Sequence, residues 1–387
     1  MNRYKTMNTD FSKLRIALLH EWFVDIAGAE QVFKKLYALF PQARIFTLFH
    51  KPESLAEMKI PETQVTDSFL QNIPGICRNY RKFLPIFPMA VGSLDVSDFD
   101  LIVSSSHSAI KGVRMNPGQI HICYCHTPPR YLWDMSDTYL KHAGLDKGPI
   151  GLASHAALHF LRRWDAGTSK RVDHFIANSS HTAWRIEKFY GRNSKIIHPP
   201  VNTSRFHPSI KKDYFLFSSR LVNYKRADLA IESCARTGDR LIIAGEGPEL
   251  KSLRFLGAEK NVEFAGHLKD SAYSDLMSEA RALIFPAEED FGITMAEALA
   301  SGTPVIAYGK GGARDILEEH DPANGKEGTG IFFNAQNVSS LANSIERFKT
   351  IEKSFNSGIL VSASKKFDEK IFTERFSKFV KSKVFKH

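Results

Sequence analysis

Short runs of apolar and β-branched residues recur along this chain, and between them the apolar positions repeat at helical spacing. The runs that read as strands are RIALLH (15–20), RIFTLF (44–49), DLIVSSS (100–106), IHICYC (120–125) and HFIANS (174–179). A second set follows: YFLFSS (214–219), RLIIAG (240–245), VEFAG (262–266), ALIFP (282–286) and PVIAY (304–308). Continuous apolar runs alternating with helices predict parallel sheets covered on both faces, so the pattern is α/β throughout, and two sets of runs predict two doubly wound domains.

Between the sets lies HPPVNTSRFHP (198–208), whose Pro199, Pro200 and Pro208 can continue neither a helix nor a central strand. The domain boundary is therefore expected near residue 205. In open α/β sheets, ligands bind beyond the carboxyl ends of the strands. Two such sheets facing each other would enclose a cleft, and polar residues just after each strand are where chemistry is sought.

Composition narrows this only a little. At 387 residues the chain exceeds one comfortable core, and 43% hydrophobic with 24% charged residues is ordinary for a folded protein. No apolar run reaches the ~20 residues that span a bilayer. The first residues, MNRYKTMNTDFSKLR, lack the apolar core of a secretory leader, so a cytoplasmic protein is expected. The four cysteines (Cys77, Cys123, Cys125, Cys234) agree with a reducing compartment, and Cys123 and Cys125 alternate on one run as small core residues do. The net charge of +10 admits nucleic acid, an anionic membrane surface or phosphorylated small molecules. Charge alone does not choose among them.

The candidate chemistry follows the strands. After YFLFSS come Arg220 and Lys225, a strand-end arginine and a lysine at the next helix entrance. Such a pair either converges on one phosphate, with helix amides adding partial positive charge, or is two solvated cations. Gly28 opens a helical pattern soon after RIALLH and permits close backbone approach to a phosphate. Neither GxxxxGK[ST] nor GxGxxG occurs. After ALIFP, the strip EEDFGITMAEALASG (288–302) places Glu289 in a loop and Glu297 within a helix. The backbone of Phe291, Gly292, Ile293 and Thr294 lies between them at the helix start. A carboxylate there can accept paired hydrogen bonds from a vicinal diol such as a ribose; the plainer reading is favourable charge at a helix N-terminus, about 0.3 to 1 kcal/mol each. Asp98-Phe99-Asp100 spells a D-x-D pattern, but Asp100 enters the run DLIVSSS and reads as strand-edge chemistry. His107, His121, His174, His181 and His198 read as structural histidines.

The strip 289–297 resembles the E-x7-E motif of the family 4 retaining glycosyltransferases. Further segments resemble that family in order: GAE (28–30), HTPPRYLWD (126–134), RVDHFIANS (171–179), SSRLVNYKR (218–226), GEGPE (245–249) and VEFAGHL (262–268). The likeness runs from about residue 14 to about residue 375. CHTPPRYLWD is most similar to bacterial mannosyltransferases that build O-antigen or other surface polysaccharide from GDP-mannose, and relatives using GDP-rhamnose or UDP-sugars carry similar stretches. The resemblance implies a GT-B fold: two Rossmann-like domains across a cleft, 1–205 binding the acceptor and 206–368 the nucleotide-sugar donor. It also implies a C-terminal helix, 369–387, that packs back on the first domain.

By the same resemblance, Arg220 and Lys225 bind the diphosphate, Gly28 approaches it through its backbone, and Glu297 holds the ribose. Glu289 holds the donor sugar, Phe291 to Thr294 line the donor site, and His126 acts near the sugar and phosphate as a catalytic group. Retention would follow from front-face attack by the acceptor hydroxyl, with no cofactor and no metal, since the cations suffice. Two departures stand out. Ala27-Gly28 replaces the usual glycine pair, and Asp315 stands where relatives carry glutamate.

A lipid-linked glycan is the implied acceptor, and two segments bear on membrane contact. RNYRKFLPIFPMAV (78–91) mixes Arg78, Arg81 and Lys82 with Phe83, Leu84, Ile86 and Phe87, which fits either an anionic membrane surface or a buried helix flanked by cations. In the C-terminal stretch, Phe372, Phe376, Phe379, Val380 and Val384 repeat at helical spacing, which suits packing on the first domain. A nucleic-acid-binding protein is the non-enzymatic alternative. The scattered cations lack interleaved aromatic platforms, so no nucleic-acid partner is expected.

Overall fold

A computed structural model describes residues 11–385 and divides them into two units, one formed by the residues up to His198 together with those from Thr373 on, the other by Pro199–Phe372. Residues 1–10, on which the expectation of no leader rests, lie outside the described residues.

The first unit contains strands β1 (Ile16–Phe23), β2 (Arg44–His50), β3 (Val65–Asp67), β4 (Leu101–Ser106), β5 (Ile120–Cys125), β6 (His174–Ala177) and β7 (Ser194–Ile196). They form one parallel sheet in the order β3-β2-β1-β4-β5-β6-β7. β1 and β4 are buried along almost their whole length, as central strands covered on both faces must be.

The second unit contains β8 (Phe215–Ser218), β9 (Leu241–Ala244), β10 (Val262–Gly266), β11 (Leu283–Phe285), β12 (Val305–Tyr308) and β13 (Gly330–Phe333), in the order β10-β9-β8-β11-β12-β13. Successive residues of β8 feed opposite cores. Phe215 and Phe217 pack with Ile231, Ile284 and Phe348, whereas Leu216 packs with Phe285, Met295 and Leu299. Each sheet reverses its strand order once, between β1 and β4 in the first and between β8 and β11 in the second. At such a reversal the flanking connections leave on opposite sides and open a crevice at the carboxyl ends.

The ten expected strands form, within a few residues of their expected limits. Three more appear, β3, β7 and β13, all short and all at sheet edges. By contacts the division falls at His198/Pro199, a few residues before the expected 205, with the proline-rich stretch joined to the second unit from Pro199 on. Val201 N donates to Phe367 O at 2.9 Å, and Thr203 Oγ1 donates to Asp368.

The segment 78–91 resolves toward the buried alternative. Phe87 is fully buried, and Tyr80, Phe83, Leu84 and Ile86 pack against the core formed by Phe49, Leu70 and Val91. In the helix Glu369–Val384, Phe376 and Val380 are buried, the Phe376 ring lies 6.5 Å from Phe40, and Phe379 meets the edge of His174. These contacts place the last part of the helix on the first unit.

Candidate functional site

Each unit gathers polar side chains at its own strand-order reversal. In the second, the loop after β8 is pinned by the segment after β9. Ser219 N donates to Ala244 O at 3.1 Å and Leu221 N to Glu246 O at 2.8 Å. The fit is so close that a Cβ on Gly245 would meet Ser219 O at 2.0 Å, and one on Gly247 would meet Leu221 O at 2.3 Å. The glycines of GEGPE therefore hold in place the loop that presents the exposed Arg220. The loop continues to Lys225 and to Arg226, whose φ of 58° turns the chain into the helix Ala227–Thr237.

Lys225 is not a solvated surface cation. Its Nζ is ion-paired with Glu289 Oε1 in the loop after β11, the two side chains being 14% and 19% exposed. That loop is held by Gly312 N, which donates to Glu289 O at 2.8 Å. Gly292, at φ 94°, then starts the helix Ile293–Ala300. The Phe291 side chain is buried edge-on against Phe367, with ring centroids 5.5 Å apart. Ile293 packs against the same core and Thr294 is half-buried in the first turn. Phe291 and Ile293 thus anchor the backbone of this turn.

One turn on, Glu297 Oε2 accepts a hydrogen bond from Tyr273 OH at 2.8 Å. Burial, and then the Glu297 charge, hold the Tyr273 hydroxyl well above its usual range, so it stays a donor. No local sequence pattern marks Tyr273, because its meaning lies in a partner on another helix.

In the first unit, Gly28 opens the helix Gly28–Leu39, and Glu30 folds back to accept from Ala27 N at 2.9 Å. Glu30 Oε1 also faces His20 Nε2 at 3.2 Å, and His20 Nδ1 lies 3.1 Å from Ser105 O. Ser105 Oγ is 2.8 Å from His126 Nε2. A continuous polar chain therefore links the Gly28 turn to His126. Burial first, and then the neighbouring imidazoles of His107 and His20, press the His126 imidazole down to about 3. His126 is a neutral hydrogen-bonding group at physiological pH; it does not stabilise charge as a cation.

The rest of HTPPRYLWD is a rigid mount. His126 O accepts from Asn178 Nδ2 at 2.9 Å, and the buried Arg185 grips both Asp134 and Pro128 O. Trp133 Nε1 donates to Asp165 Oδ2 at 2.9 Å, while Asp165 also pairs with buried Lys111.

Beside His126 lies His107, read from the sequence as structural, and with it an acid that the sequence did not single out. Glu21, fully buried at the end of β1, accepts from Ser106 Oγ (2.8 Å), His107 N (3.1 Å) and Ser108 N (2.8 Å), and its other oxygen lies 2.9 Å from His107 Nδ1. His121 and His198 are structural as expected, bound to Ser104 Oγ and Asn178 O. Asp100 is engaged by the Arg15 backbone and guanidinium at 2.9 and 2.7 Å, consistent with strand-edge chemistry. Among the described residues, no group of three or more His, Cys, Asp or Glu is arranged to hold a metal ion.

Comparison with known proteins agrees with this division. Residues 28–205 match the model described as Glycosyltransferase Family 4, and residues 202–357 match that described as Glycosyl transferases group 1. Among curated proteins, the GDP-mannose-dependent alpha-(1-6)-phosphatidylinositol monomannoside mannosyltransferase of Mycobacterium tuberculosis is 30% identical over 217 residues, covering 48% of this chain and 54% of its own. The dimannoside mannosyltransferase of the same organism is 25% identical over 199 residues, covering 46% and 52%. The chain spans about half the length of these curated relatives. Among solved structures, Anabaena HepE in complex with UDP and glucose superposes with a TM-score of 0.69 at 19% identity, covering 95% of this chain and all of that one. Each unit thus matches one glycosyltransferase family model, and the chain shares the GT-B fold along nearly its whole length.

Proposed function

We propose that this protein transfers a mannosyl residue from GDP-mannose to a lipid-linked glycan, with retention at the anomeric carbon, in the synthesis of a bacterial surface polysaccharide such as O-antigen or capsule. The observation that carries the transferase reading is the pairing of Lys225 with Glu289, and of Tyr273 with Glu297, at the strand reversal of the second unit. The donor is argued from the matched mycobacterial relatives, whose names specify GDP-mannose.

The chemistry follows from charge. The bond between the anomeric carbon and the diphosphate oxygen breaks, and its electron pair stays on the diphosphate. Arg220, Lys225 and the amides around Gly292 offset that charge, the preorganised electrostatic contribution that dominates such reactions. The acceptor oxygen bonds to the anomeric carbon on the same face, and its proton passes to a phosphate oxygen. Glu297 takes the ribose hydroxyls. Glu289, charge-paired with Lys225, is a hydrogen-bond acceptor for the sugar and a poor nucleophile, which supports the single-step reading. His126 orients the sugar as a neutral partner.

A second donor reading has its own support. HepE was solved with UDP and with UDP-glucose, so a UDP-sugar is the alternative. Incubating the full chain with GDP-mannose, GDP-rhamnose and UDP-glucose and a prenyl-diphosphate-linked glycan separates them. Mannosyl transfer with an α product supports the first reading, and transfer from UDP-glucose alone replaces it by the second. Neither transfer nor donor hydrolysis with any of them would overturn both.

The acceptor's lipid implies a surface at the cytoplasmic face of a membrane, and no helix among the described residues is long and apolar enough to cross one. With 78–91 packed inward, the contact is assigned to the helix Gly148–Thr168. That helix buries Leu161, Asp165 and Thr168 and turns Leu152, Ala156 and Phe160 to the opposite side, Leu152 being 76% and Phe160 59% exposed. Arg163 continues that face, and Asp165, the helix's acid, is buried against Lys111. Apolar side chains with cations and no exposed acid suit an anionic lipid surface, whereas a second copy of the same face would set like charges opposite each other. Leu152→Glu with Phe160→Glu should abolish sedimentation with phosphatidylglycerol vesicles. Undiminished binding would remove the assignment.

A further inference from the structure

We propose that Glu21 and His107 form a second anion-binding group at the strand reversal of the first unit, in which His107 donates through Nε2 to a phosphate oxygen of a substrate while Glu21 positions its ring.

Four observations converge on it. Glu21 sits on β1 and His107 immediately follows β4, the two neighbouring strands between which the first sheet reverses, so the pair lies where an α/β sheet opens its crevice. A fully buried carboxylate is costly unless it is paired and hydrogen-bonded. Glu21 meets that condition through one side-chain hydroxyl, the backbone amides of 107 and 108, and the His107 ring. That much ordering around one acid fixes the His107 ring in a single orientation. The other ring nitrogen, Nε2, meets no hydrogen-bond partner among the described residues, and the side chain is 26% exposed. The ring is also braced on its faces and edge, 4.8 Å from Trp22 and 5.9 Å from His20 by centroid, and 6.3 Å from His126.

The charged and titratable groups facing His107 are Glu21 and His20 from β1, Glu30 from the helix Gly28–Leu39 and His126 after β5. Burial disfavours the imidazolium, but the Glu21 carboxylate outweighs it and raises the group above its usual range. His126, by contrast, stays neutral. The first unit thus sets a donor of fixed direction, biased toward its protonated form, beside an imidazole held neutral. A fixed N–H on an imidazolium is the donor type that forms charge-assisted bonds to phosphate.

Two sources supply such an oxygen under the transferase reading, on which only the choice of ligands rests: the nucleoside diphosphate, or the diphosphate of a prenyl-linked acceptor. The test is the nitrogen NMR spectrum of the full chain labelled in its histidines, with His107→Gln to assign the resonance. GDP, decyl diphosphate and inorganic pyrophosphate are titrated in turn, into the native chain and into Lys225→Ala, which lacks one of the two cations assigned to the diphosphate in the second unit. Pyrophosphate is expected to shift His107 Nε2 in both proteins, and Glu21→Gln to weaken that response at least tenfold while His126 keeps its neutral signature. A response to decyl diphosphate but not GDP assigns the oxygen to the acceptor, and the reverse assigns it to the donor. No shift with any of the three, or a shift that vanishes in Lys225→Ala, overturns the proposal. Turnover is not needed, so the result stands whether or not sugar transfer is observed.

Discussion

Lys225 Nζ and Glu289 Oε1 form an ion pair between the loop after β8 and the loop after β11, the two neighbouring strands at which the second sheet reverses its order. The sequence separates them by a whole strand-helix series, and the fold makes them one unit. Because each is mostly enclosed, each fixes the other before any ligand arrives.

If the pair acts as a unit in transfer, Lys225→Ala and Glu289→Ala should each lower kcat/KM by about a hundredfold to a thousandfold, as loss of a preorganised charge does. The double variant should be little worse than either single one. Thermal midpoints should move by only a few degrees, since neither residue belongs to the core. Kinetics on the three variants check this, and additive losses would show that the two side chains act separately.

Tyr273 tests the neighbouring acid. Its hydroxyl donates to Glu297 Oε2 at 2.8 Å from a buried position, so Tyr273→Phe removes one hydrogen bond and little volume. A bond to a charged group contributes about 1.5 to 3 kcal/mol, so the affinity for GDP should fall roughly tenfold to a hundredfold. Affinity for inorganic pyrophosphate, which has no ribose, should not change. Calorimetric titration of both ligands decides it: an equal loss for the two would mean that Tyr273 supports the whole site and not the ribose acid.

How much of this was readable in the chain depends on where each interaction closes. The central strands were legible because a strand buried on both faces must be a run of apolar residues, as ALIFP and IHICYC are. β3 and β7, at the edges, are only partly buried and carry no such run, and β13 offers just Gly330–Phe333. Glu289 and Glu297 were legible because a loop and the following helix hold both. Glu21 was not: it follows the run RIALLH, and the partners that make a buried acid tolerable, Ser106, His107 and Ser108, arrive from the end of β4 and the residues after it, far along the chain.

Two glycines with the same backbone angle separate strain from contact. Gly311 and Gly325 both have φ of 67°, but a Cβ on Gly311 would lie 2.3 Å from Glu289 O, whereas one on Gly325 would meet nothing within 4 Å. Gly325→Ala should cost only the left-handed penalty, about 1 to 2 kcal/mol. Gly311→Ala should cost more than about 3 kcal/mol and should also displace Glu289, lowering transfer in the molecules that remain folded. Urea unfolding and residual activity of the two variants measure this, and equal destabilisation would mean that the Glu289 loop yields freely.

Acid should unfold the protein through its buried neutral histidines. Burial holds His126 down to about 3 and His121 to about 4, below the ~6.5 of an unfolded histidine. As pH falls below ~6.5 the unfolded chain takes up these protons and the folded chain does not, so stability is present above ~6.5 and is lost on the way down toward the folded values. Each group contributes a slope of up to about 1.4 kcal/mol per pH unit in that window. His107 runs the opposite way, because Glu21 raises it: its contribution is full below ~6.5 and fades as pH rises through its folded value. His320 is lowered as well and His50 raised, but the raised groups' contribution is already full below ~6.5, so between pH 6.5 and 4 the net stability should fall with acid. Below the usual carboxylate range the loss should steepen, since Glu21 and Glu30 are held ionised in the folded state. Urea unfolding at half-unit steps from pH 7 to 4 should show the decline, and His126→Gln, which has no proton to take, should be visibly flatter. A native chain whose stability does not change between pH 6.5 and 4.5 would mean that His121 and His126 are protonated in place, with water or a counter-charge reaching rings that this fold encloses.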